Sequence, residues 1–332
     1  MTVRAWAELL RVSALFTVPG DALAGAAAVG RRPNRSTALA VGASLCLYEA
    51  GMALNDWADR DEDAVDRPHR PIPSGRITPR AALTAAGALT AAGLVLAARA
   101  GRPALTVATG LAATVWAYDL RLKHTPAGPA SMAAARGLDL LLGATATATA
   151  AHSARATGTA AATSARAAVP AALPAAALLT AHTYAVTAVS RHEAQGGSTT
   201  VPLAALGAVA ALGGIAVRER QRAGRGAAGG SPDGGGSGGT ESARVRTAAT
   251  TPTRLLLTAL TGAYLRTAGR PLVHAALNPS PPLTQRAVGS GIRAMIPLQA
   301  ALAARAGASG TALAVMGLVP LARSLARKVS PT

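Results

Sequence analysis

Long apolar runs separated by short polar segments dominate the hydropathy pattern of this 332-residue chain. Several runs are about 17–22 residues long, the length that an α-helix needs to cross a bilayer. Most of them lack a polar face, so a water-soluble alanine-rich bundle explains the pattern poorly. The pattern predicts spans over residues 8–30, 37–55, 78–99, 103–119, 129–151, 168–190, 200–217 and 252–268, with two further apolar stretches in 286–327 that break near Gly307–Gly310.

The predicted fold is an all-α polytopic membrane helical bundle that forms a single domain over residues 1–332. Eight to ten helices fit the pattern, and nine is preferred because one C-terminal stretch can lie along the membrane interface. Thr78 and Pro79 predict a helix start, as an N-cap and a first-turn proline. Residues 218–250 are a Gly/Ser/Arg-rich stretch of low complexity, which predicts a flexible loop.

Acidic residues concentrate directly after the second predicted span. If the helix continues, Asn55, Asp59 and Asp63 recur every four residues and share one face, with Asp56 close by. Like charges at this spacing repel one another, and a divalent cation would remove the repulsion. Carboxylate and amide oxygens are ligands that Mg²⁺ prefers, and Mg²⁺ commonly binds substrate phosphates at the same time.

Two basic residues, Arg67 and Arg70, follow the acidic run and could bind phosphate oxygens that the metal does not. Together the acids and bases predict a site for a Mg²⁺-diphosphate. The alternative is a solvated acidic loop with local salt bridges, which the apolar surroundings disfavour.

Composition narrows the function classes further. The chain carries a net charge of +18, and its arginines are spread over many loops without a basic stripe that carries aromatics. Nucleic-acid binding is therefore not expected, whereas attraction to anionic lipid headgroups is. Arginine clusters occur on both sets of alternate loops, so charge does not settle the orientation. Cys46 is the only cysteine, which excludes a disulfide framework, and the first apolar run is expected to be a retained span, not a signal peptide.

Three of the ionisable residues inside predicted spans are candidates for a functional or a pairing role. Asp21, after Pro19 and Gly20, is either a functional group facing the bundle interior or the partner of a neighbouring helix. Arg136 and Asp139 are three residues apart and can pair on one helix face, either as a structural pair or as the polar floor of a cavity.

The acidic segment also resembles a known motif. Asn55-Asp56-x-x-Asp59-x-x-x-Asp63, followed by Arg70-Pro-Ile-Pro-Ser-Gly75, is similar to the first aspartate-rich motif of the UbiA superfamily of intramembrane prenyltransferases. Tyr118, Arg121 and Lys123 resemble the Tyr…Lys element after the fourth helix of that superfamily. This resemblance implies two pseudo-repeated halves, Mg²⁺, a prenyl diphosphate donor, a lipophilic or aromatic acceptor, and active-site loops that face the cytoplasm.

The resemblance assigns further roles to these positions. Lys123 and Arg121 would bind diphosphate, although both could instead be interfacial anchors that snorkel. If the helices alternate in direction, the loops at 55–78, 119–128 and 190–200 lie on one side of the membrane.

The second motif departs from the superfamily pattern, in which Asp-x-x-x-Asp after the sixth helix binds a second Mg²⁺. This chain has Ser190-Arg191-His192-Glu193 there, so Glu193 is the only hard carboxylate ligand and Arg191 could bind phosphate directly. His192 suits softer metals. This departure, with the Lys123-His124 pair, resembles the EboC-like branch found beside natural-product gene clusters, whose acceptor is generally not established.

The implied reaction is prenyl transfer, with Asp56, Asp59, Lys123 and Arg191 as its catalytic residues. The loss of a diphosphate leaves an allylic cation, which aromatic faces can shield. Five aromatics lie near the motif ends: Tyr48, Trp57, Trp116, Tyr118 and Tyr184. Tyr48 and Asn55 are seven residues apart and face alike, as do Tyr184 and Arg191.

Three alternatives stay open at this point. The aromatics could form an interfacial belt, although the opposite membrane face has almost none. The chain could be a UbiA-like carrier of lipids or precursors without transferase activity. A cation-coupled transporter is disfavoured because no Gly/Pro-interrupted helix pair recurs at matching places in the two halves.

Overall fold

The computed structural model describes residues 2–153, 158–194, 196–226 and 239–329, and all regular structure within these ranges is helical. Within these ranges twelve α-helices follow one another: α1 Val3–Leu9, α2 Val18–Ala28, α3 Arg35–Ala58, α4 Arg60–Asp66, α5 Pro79–Ala100, α6 Arg102–Ala117, α7 Gly128–Ser153, α8 Gly158–Ser190, α9 Thr200–Gly226, α10 Gly239–Leu277, α11 Pro281–Arg305 and α12 Ser309–Val329. A 3₁₀ segment (Val12–Thr17) precedes α2, and a π-helical turn (Tyr118–Leu122) follows α6. The all-α prediction is confirmed.

Five helical segments of the described residues are long and apolar enough to cross a membrane. They are Arg35–Ala58, Pro79–Ala100, Ala167–Ser190, Thr200–Arg218 and Pro281–Arg305, and two shorter apolar helices cover Leu15–Ala28 and Ser309–Pro320. The predicted polytopic bundle is confirmed, whereas the count of nine spans and the pseudo-repeat of two halves stay predictions. Thr78 caps α5 through its side chain with Pro79 in the first turn, as predicted.

The predicted continuous first span over residues 8–30 is wrong. The chain breaks between α1 and the 3₁₀ segment at Arg11, which has φ 48° and ψ 47°. This left-handed conformation is costly for a residue with a side chain. Its cost is offset because Arg11 then reaches Asp56 at the end of α3, with 3.0 Å between Nη2 and Oδ1. A tertiary ion pair thus overrides the local helical pattern.

The predicted loop at 218–250 is helical at both ends. Helix α9 continues to Gly226 and α10 begins at Gly239, because Ala- and Arg-rich sequence propagates a helix readily. The central residues 227–238 lie outside the described residues, and the flexibility of this segment stays a prediction.

Small residues position the helices around several apolar clusters. One cluster joins α2, α3, α5, α6 and α7, another joins α2 with α7, α8, α9, α10 and α11, and both α2 and α7 contribute to each. Where α2 crosses α7, a Cβ on Gly143 would lie 2.3 Å from Cα of Ala22, and a Cβ on Gly25 would lie 2.2 Å from the carbonyl oxygen of Leu140. Such close approach of backbones is typical of small-residue helix packing in membranes.

Candidate functional site

Three loops meet at one end of the bundle. Lys123, after the π-helical turn, forms an ion pair with Asp59. Arg191, after α8, donates from Nη1 to the carbonyl oxygen of Thr125 at 2.5 Å. Burial raises the pKa of Glu193 above its usual range, and the nearby charge of Arg67 acts in the opposite direction. The loops after α3, α6 and α8 therefore lie on one side, as predicted.

The acidic run does not continue on one straight helix. Helix α3 ends at Ala58, Asp59 has φ −90° and ψ 4°, and α4 begins at Arg60. The backbone N–H of Asp59 still donates to the carbonyl of Asn55, and that of Asp63 donates to Asp59. Because of this one-residue step, Asp59 has other ion-pair partners than Asp56 and Asp63 have.

Asp56 and Asp63 form ion pairs with arginines, which cover both carboxylates. Nη1 of Arg70 lies 3.2 Å from Oδ1 of Asp56 and 2.7 Å from Oδ2 of Asp63, so one guanidinium joins both acids. Arg67 lies 3.5 Å from Asp63 on its other oxygen. The two carboxylates are only 5% and 3% exposed. Arginine thus balances the repulsion that the spacing implied, and the roles of these four residues as metal or phosphate ligands stay predictions.

Asp59 faces a second environment, which we call the outer pocket. This cavity of about 380 Å³ is lined by residues that include Asp59, Glu62, Asp119, Arg121, Lys123 and His124. Nε2 of His124 lies 4.0 Å from Oδ1 of Asp59 and 4.0 Å from Oε2 of Glu62. The outer pocket brings acids and bases together where a phosphate and a cation could both bind.

An inner cavity of about 210 Å³ lies between α3, α6 and α7. Its walls are mainly apolar, from Leu47, Met52, Leu111, Val115 and Met132. Tyr48 and Tyr118 line it beside Asn55, as the seven-residue spacing of Tyr48 and Asn55 predicts. The amide of Asn55 donates to Asp119 at 3.1 Å. Because Asp119 lines both cavities, it marks the boundary between the apolar and the polar compartment.

Arg136, Asp139 and Ser44 line the far end of the inner cavity. The predicted pairing of Arg136 with Asp139 is wrong: Nη1 of Arg136 donates to Asp21 at 2.6 Å. Gln299 donates to the other oxygen of Asp21 at 2.7 Å, and Ser44 donates to Asp139. Asp21 is therefore the partner of neighbouring helices, because the close α2–α7 crossing brings it to Arg136.

Three predicted aromatics lie outside the inner cavity. The side chain of Tyr184 is 49% exposed and lines neither cavity. Nε1 of Trp116 donates to Thr90. Trp57 lines the outer pocket, and Cζ of Arg60 lies over its ring, 4.9 Å from the ring centroid. A seven-residue spacing fixes that Tyr184 and Arg191 share a face, but it does not fix where that face points.

Four residues of the site were not predicted from the sequence as site residues. Arg11 was hidden by the expectation of a continuous first helix. Asp119, Glu62 and His124 stand inside or beside quoted motifs, but neither charge nor spacing separated them from ordinary polar neighbours. The feature that distinguishes Asp119 and His124 is the π-helical turn, which is visible only in the structure. Such turns often mark functional sites and change which side chains face inward.

Comparison with known proteins identifies the family. The sequence profile of the UbiA prenyltransferase family matches residues 13–217, more than half of the chain. This protein therefore belongs to the UbiA prenyltransferase family, and it is a multi-pass membrane protein. Its resemblance to the EboC-like branch stays a prediction.

Among curated relatives, digeranylgeranylglyceryl phosphate synthase of Methanopyrus kandleri is 36% identical over 129 residues, 37% of this chain and 46% of the relative. The enzyme of the same name from Natronomonas pharaonis is 43% identical over 81 residues, 24% of this chain and 29% of the relative. The chain thus spans less than half the length of each of these relatives.

Solved structures share the fold over nearly the whole chain. A UbiA homologue from Archaeoglobus fulgidus, bound to GPP and Mg²⁺, superposes with a TM-score of 0.56 and 18% identity, over 90% of this chain and 99% of that one. The apo structure of a UbiA homologue from Aeropyrum pernix K1 also gives 0.56 and 18%, over 84% and 96%. At this identity the likeness establishes the fold alone.

Proposed function

We propose that this protein is a membrane-embedded prenyltransferase, which moves an isoprenyl group from a prenyl diphosphate to a lipophilic acceptor in a Mg²⁺-dependent reaction. The observation that carries this proposal is that an apolar cavity and a polar pocket lie next to each other and share Asp119 as a lining residue. A prenyl diphosphate has the same division, since a hydrocarbon tail ends in a multiply charged head. The Mg²⁺ and GPP bound to the Archaeoglobus homologue support it.

The donor would bind across the boundary between the two compartments. Its tail packs against the apolar walls of the inner cavity, and its diphosphate lies in the outer pocket near Arg121 and Lys123. Arg191, which now donates to a backbone carbonyl, has a long side chain and can turn to the diphosphate. Arginine suits this role because its planar fork binds phosphate oxygens in pairs.

The oxygen donors at the pocket fit a hard divalent cation. Asp59 and Glu62 present carboxylates to the outer pocket, and Asn55 and Asp119 lie at the boundary. Carboxylate and amide oxygens are the ligand set of Mg²⁺. When bound, Mg²⁺ supplies positive charge that balances the leaving diphosphate.

The reaction breaks the bond between C1 of the prenyl group and its oxygen, and the diphosphate leaves with the electron pair. The acceptor then bonds to C1 and loses a proton to the leaving group or to solvent. Lys123 and the arginines hold the developing negative charge. The apolar walls exclude water, and Tyr48 and Tyr118, which line the inner cavity, would stabilise the allylic cation through their ring faces.

The acceptor is proposed to be a lipid, because the curated relatives are named for a digeranylgeranylglyceryl phosphate product. Phenolic acceptors are the aromatic alternative. We also propose that the protein lies in the cell membrane and that the site loops face the cytoplasm, because soluble diphosphates are made there.

The deciding experiment measures diphosphate release from a labelled allylic donor by the full chain in detergent. Lipid and phenolic acceptors are tested with and without divalent cation. Release that requires both an acceptor and the cation is the expected result. A second candidate function is a lipid or precursor carrier. It is favoured because arginines pair with Asp56 and Asp63, two of the carboxylates expected to bind the metal. Cation-dependent donor binding without release for any acceptor would establish the carrier and exclude the transferase.

A further inference from the structure

We infer that the inner cavity selects prenyl diphosphates whose tail is no longer than geranyl, because a hydrogen-bonded set of polar side chains ends the cavity at that depth. Ser44, Arg136 and Asp139 form this end of the cavity, which we call the polar floor. The inference rests on the proposed function for the chemical class of the donor, and it adds the length of the donor's tail.

The depth of the inner cavity follows from positions along α3. Asn55 lies at the boundary with the outer pocket, and Ser44 of the polar floor stands eleven residues earlier on the same helix. At 1.5 Å per residue this separation is about 16 Å. Contacting carbon atoms keep about 4 Å between them. About 12 Å therefore remains for a tail whose C1 lies beside Asn55.

The lengths of prenyl tails can be compared with this depth. An extended chain advances about 1.2 Å per bond. From C1 to the far methyl group, a geranyl tail is then about 8 Å long, a farnesyl tail about 13 Å and a geranylgeranyl tail about 18 Å. Geranyl fits above the polar floor, farnesyl fits only if it folds, and geranylgeranyl exceeds the depth by about 6 Å.

The polar floor resists displacement because its groups already have partners. Ser44 donates to Asp139, and the two residues are 2% and 6% exposed. Arg136 donates to Asp21 at 2.6 Å and to the hydroxyl of Thr17 at 3.2 Å. A longer tail would have to separate these pairs and leave polar groups unpaired in an apolar interior, which is costly.

Packing beneath the polar floor is a second observation that closes the cavity. Ala43 and Leu142 are fully buried in the apolar cluster that joins α3 and α7. Farther from the boundary, the hydroxyls of Thr37 and Thr147 lie 2.7 Å apart and join the same two helices. Because interiors packed in this way yield little, the polar floor has no space into which a longer tail could push it.

Isothermal titration of four donors into the full chain in detergent, with divalent cation, tests the limit. The donors are dimethylallyl, geranyl, farnesyl and geranylgeranyl diphosphate. Affinity is expected to rise about tenfold or more from dimethylallyl to geranyl, since one further isoprene unit is buried against apolar walls. It should fall about tenfold or more from geranyl to geranylgeranyl. Diphosphate release is measured with the same four donors.

A double variant that lowers the polar floor should extend the limit. Ser44→Ala with Asp139→Ala removes both partners of one hydrogen bond, so neither group is left unpaired. The variant should bind geranylgeranyl diphosphate about tenfold better, relative to geranyl diphosphate, than wild type does. Each donor is compared between the two proteins, so the partitioning of long tails into detergent cancels.

A variant that fills the cavity at mid-depth should have the opposite effect. Gly51 lines the cavity between the polar floor and Asn55, and a Cβ there would lie 3.0 Å from Cγ1 of Val115. Gly51→Val should weaken geranyl binding about tenfold and leave dimethylallyl binding nearly unchanged. Gly110→Val is the matched control, because Gly110 lines neither cavity and a Cβ there meets no atom within 4 Å.

The wild-type series decides the inference even if a variant fails to fold. Equal affinities for geranyl and geranylgeranyl diphosphate would overturn it, since the longer tail would then leave the cavity sideways. An unchanged preference in a folded double variant would overturn it as well. Release from geranylgeranyl diphosphate at the geranyl rate would overturn the inference and leave the proposed function standing. An affinity that peaks at geranyl, without release from any donor, would support the inference and exclude the transferase.

Discussion

Acid–base pairs in the middle of the bundle and at its end differ in how completely they are enclosed. Asp21 is fully buried and receives Arg136 and Gln299 on its two oxygens. Asp59, at the end of the bundle, is 19% exposed and pairs with Lys123 beside an open pocket. Enclosure on all sides indicates a structural role, whereas a charged pair beside open space can exchange its partner for a ligand.

The comparison predicts its largest effect at the enclosed pair. Arg136→Met should destabilise the protein by about 3–5 kcal/mol, because it leaves the carboxylate of Asp21 buried without its cationic partner. The thermal midpoint in detergent measures the loss. The double variant with Asp21→Leu should recover most of it, since no uncompensated charge remains. Equal midpoints for wild type and Arg136→Met would show that the pair is not structural.

Arg191 is the strongest functional test at the open end. Arg191→Ala should lower turnover by about 10²–10³-fold, the usual cost of losing one group that stabilises transition-state charge. Arg191→Lys should recover part of the rate, because it keeps the charge without the planar fork. Rates of diphosphate release measure both variants. In a carrier, the alanine variant would only weaken donor affinity.

Asp59 should show the exchange of partners directly. Asp59→Asn should weaken cation-dependent donor binding by about 10–100-fold and leave the thermal midpoint nearly unchanged. Asp66→Asn is the matched control, because Asp66 is an exposed acid at the end of α4 that lines neither cavity. Isothermal titration with and without divalent cation measures the difference. Equal affinities for the two variants would contradict the open-pocket interpretation.

Asp56 sharpens the same contrast within one motif. Asp56→Asn should lower the thermal midpoint more than Asp59→Asn does, because Asp56 is buried against Arg11 and Arg70. Its loss leaves both arginines short of a partner and should cost about 1–3 kcal/mol. A midpoint above that of Asp59→Asn would show that the arginines do not depend on this carboxylate.

The smallest effect is expected for an exposed pair. Arg76 binds both oxygens of Glu8 at 2.6 and 3.0 Å, and this hydrogen bonding lowers the pKa of Glu8. A lowered pKa means that the pair stabilises the fold above the unfolded pKa and that this contribution disappears as pH falls through the folded value. Glu8→Gln should lower the free energy of unfolding by less than about 1 kcal/mol at neutral pH. It should also remove this pair's part of the fall in the thermal midpoint at acidic pH, which thermal unfolding in detergent at several pH values measures.

Hydropathy and one motif were enough to predict much of this protein. Apolar run lengths predict most helix bounds, since backbone groups in a bilayer must satisfy their hydrogen bonds within each helix. The spacing of Asn55, Asp59 and Asp63 predicts a polar site at one end, and the motif predicts the family. These properties depend on residues close together in the sequence.

Only the tertiary structure decided which partner each charged residue takes. The α2–α7 crossing brings Arg136 within ion-pair distance of Asp21. Arg11, in its left-handed conformation, pairs with Asp56. The break between α3 and α4 at Asp59 places this acid in the wall of the outer pocket. The π-helical turn brings His124 to the same place. Spacing along a helix fixes which side chains share a face, but the choice among partners depends on how separate helices cross, and on ion-pair energies large enough to override local helical preference.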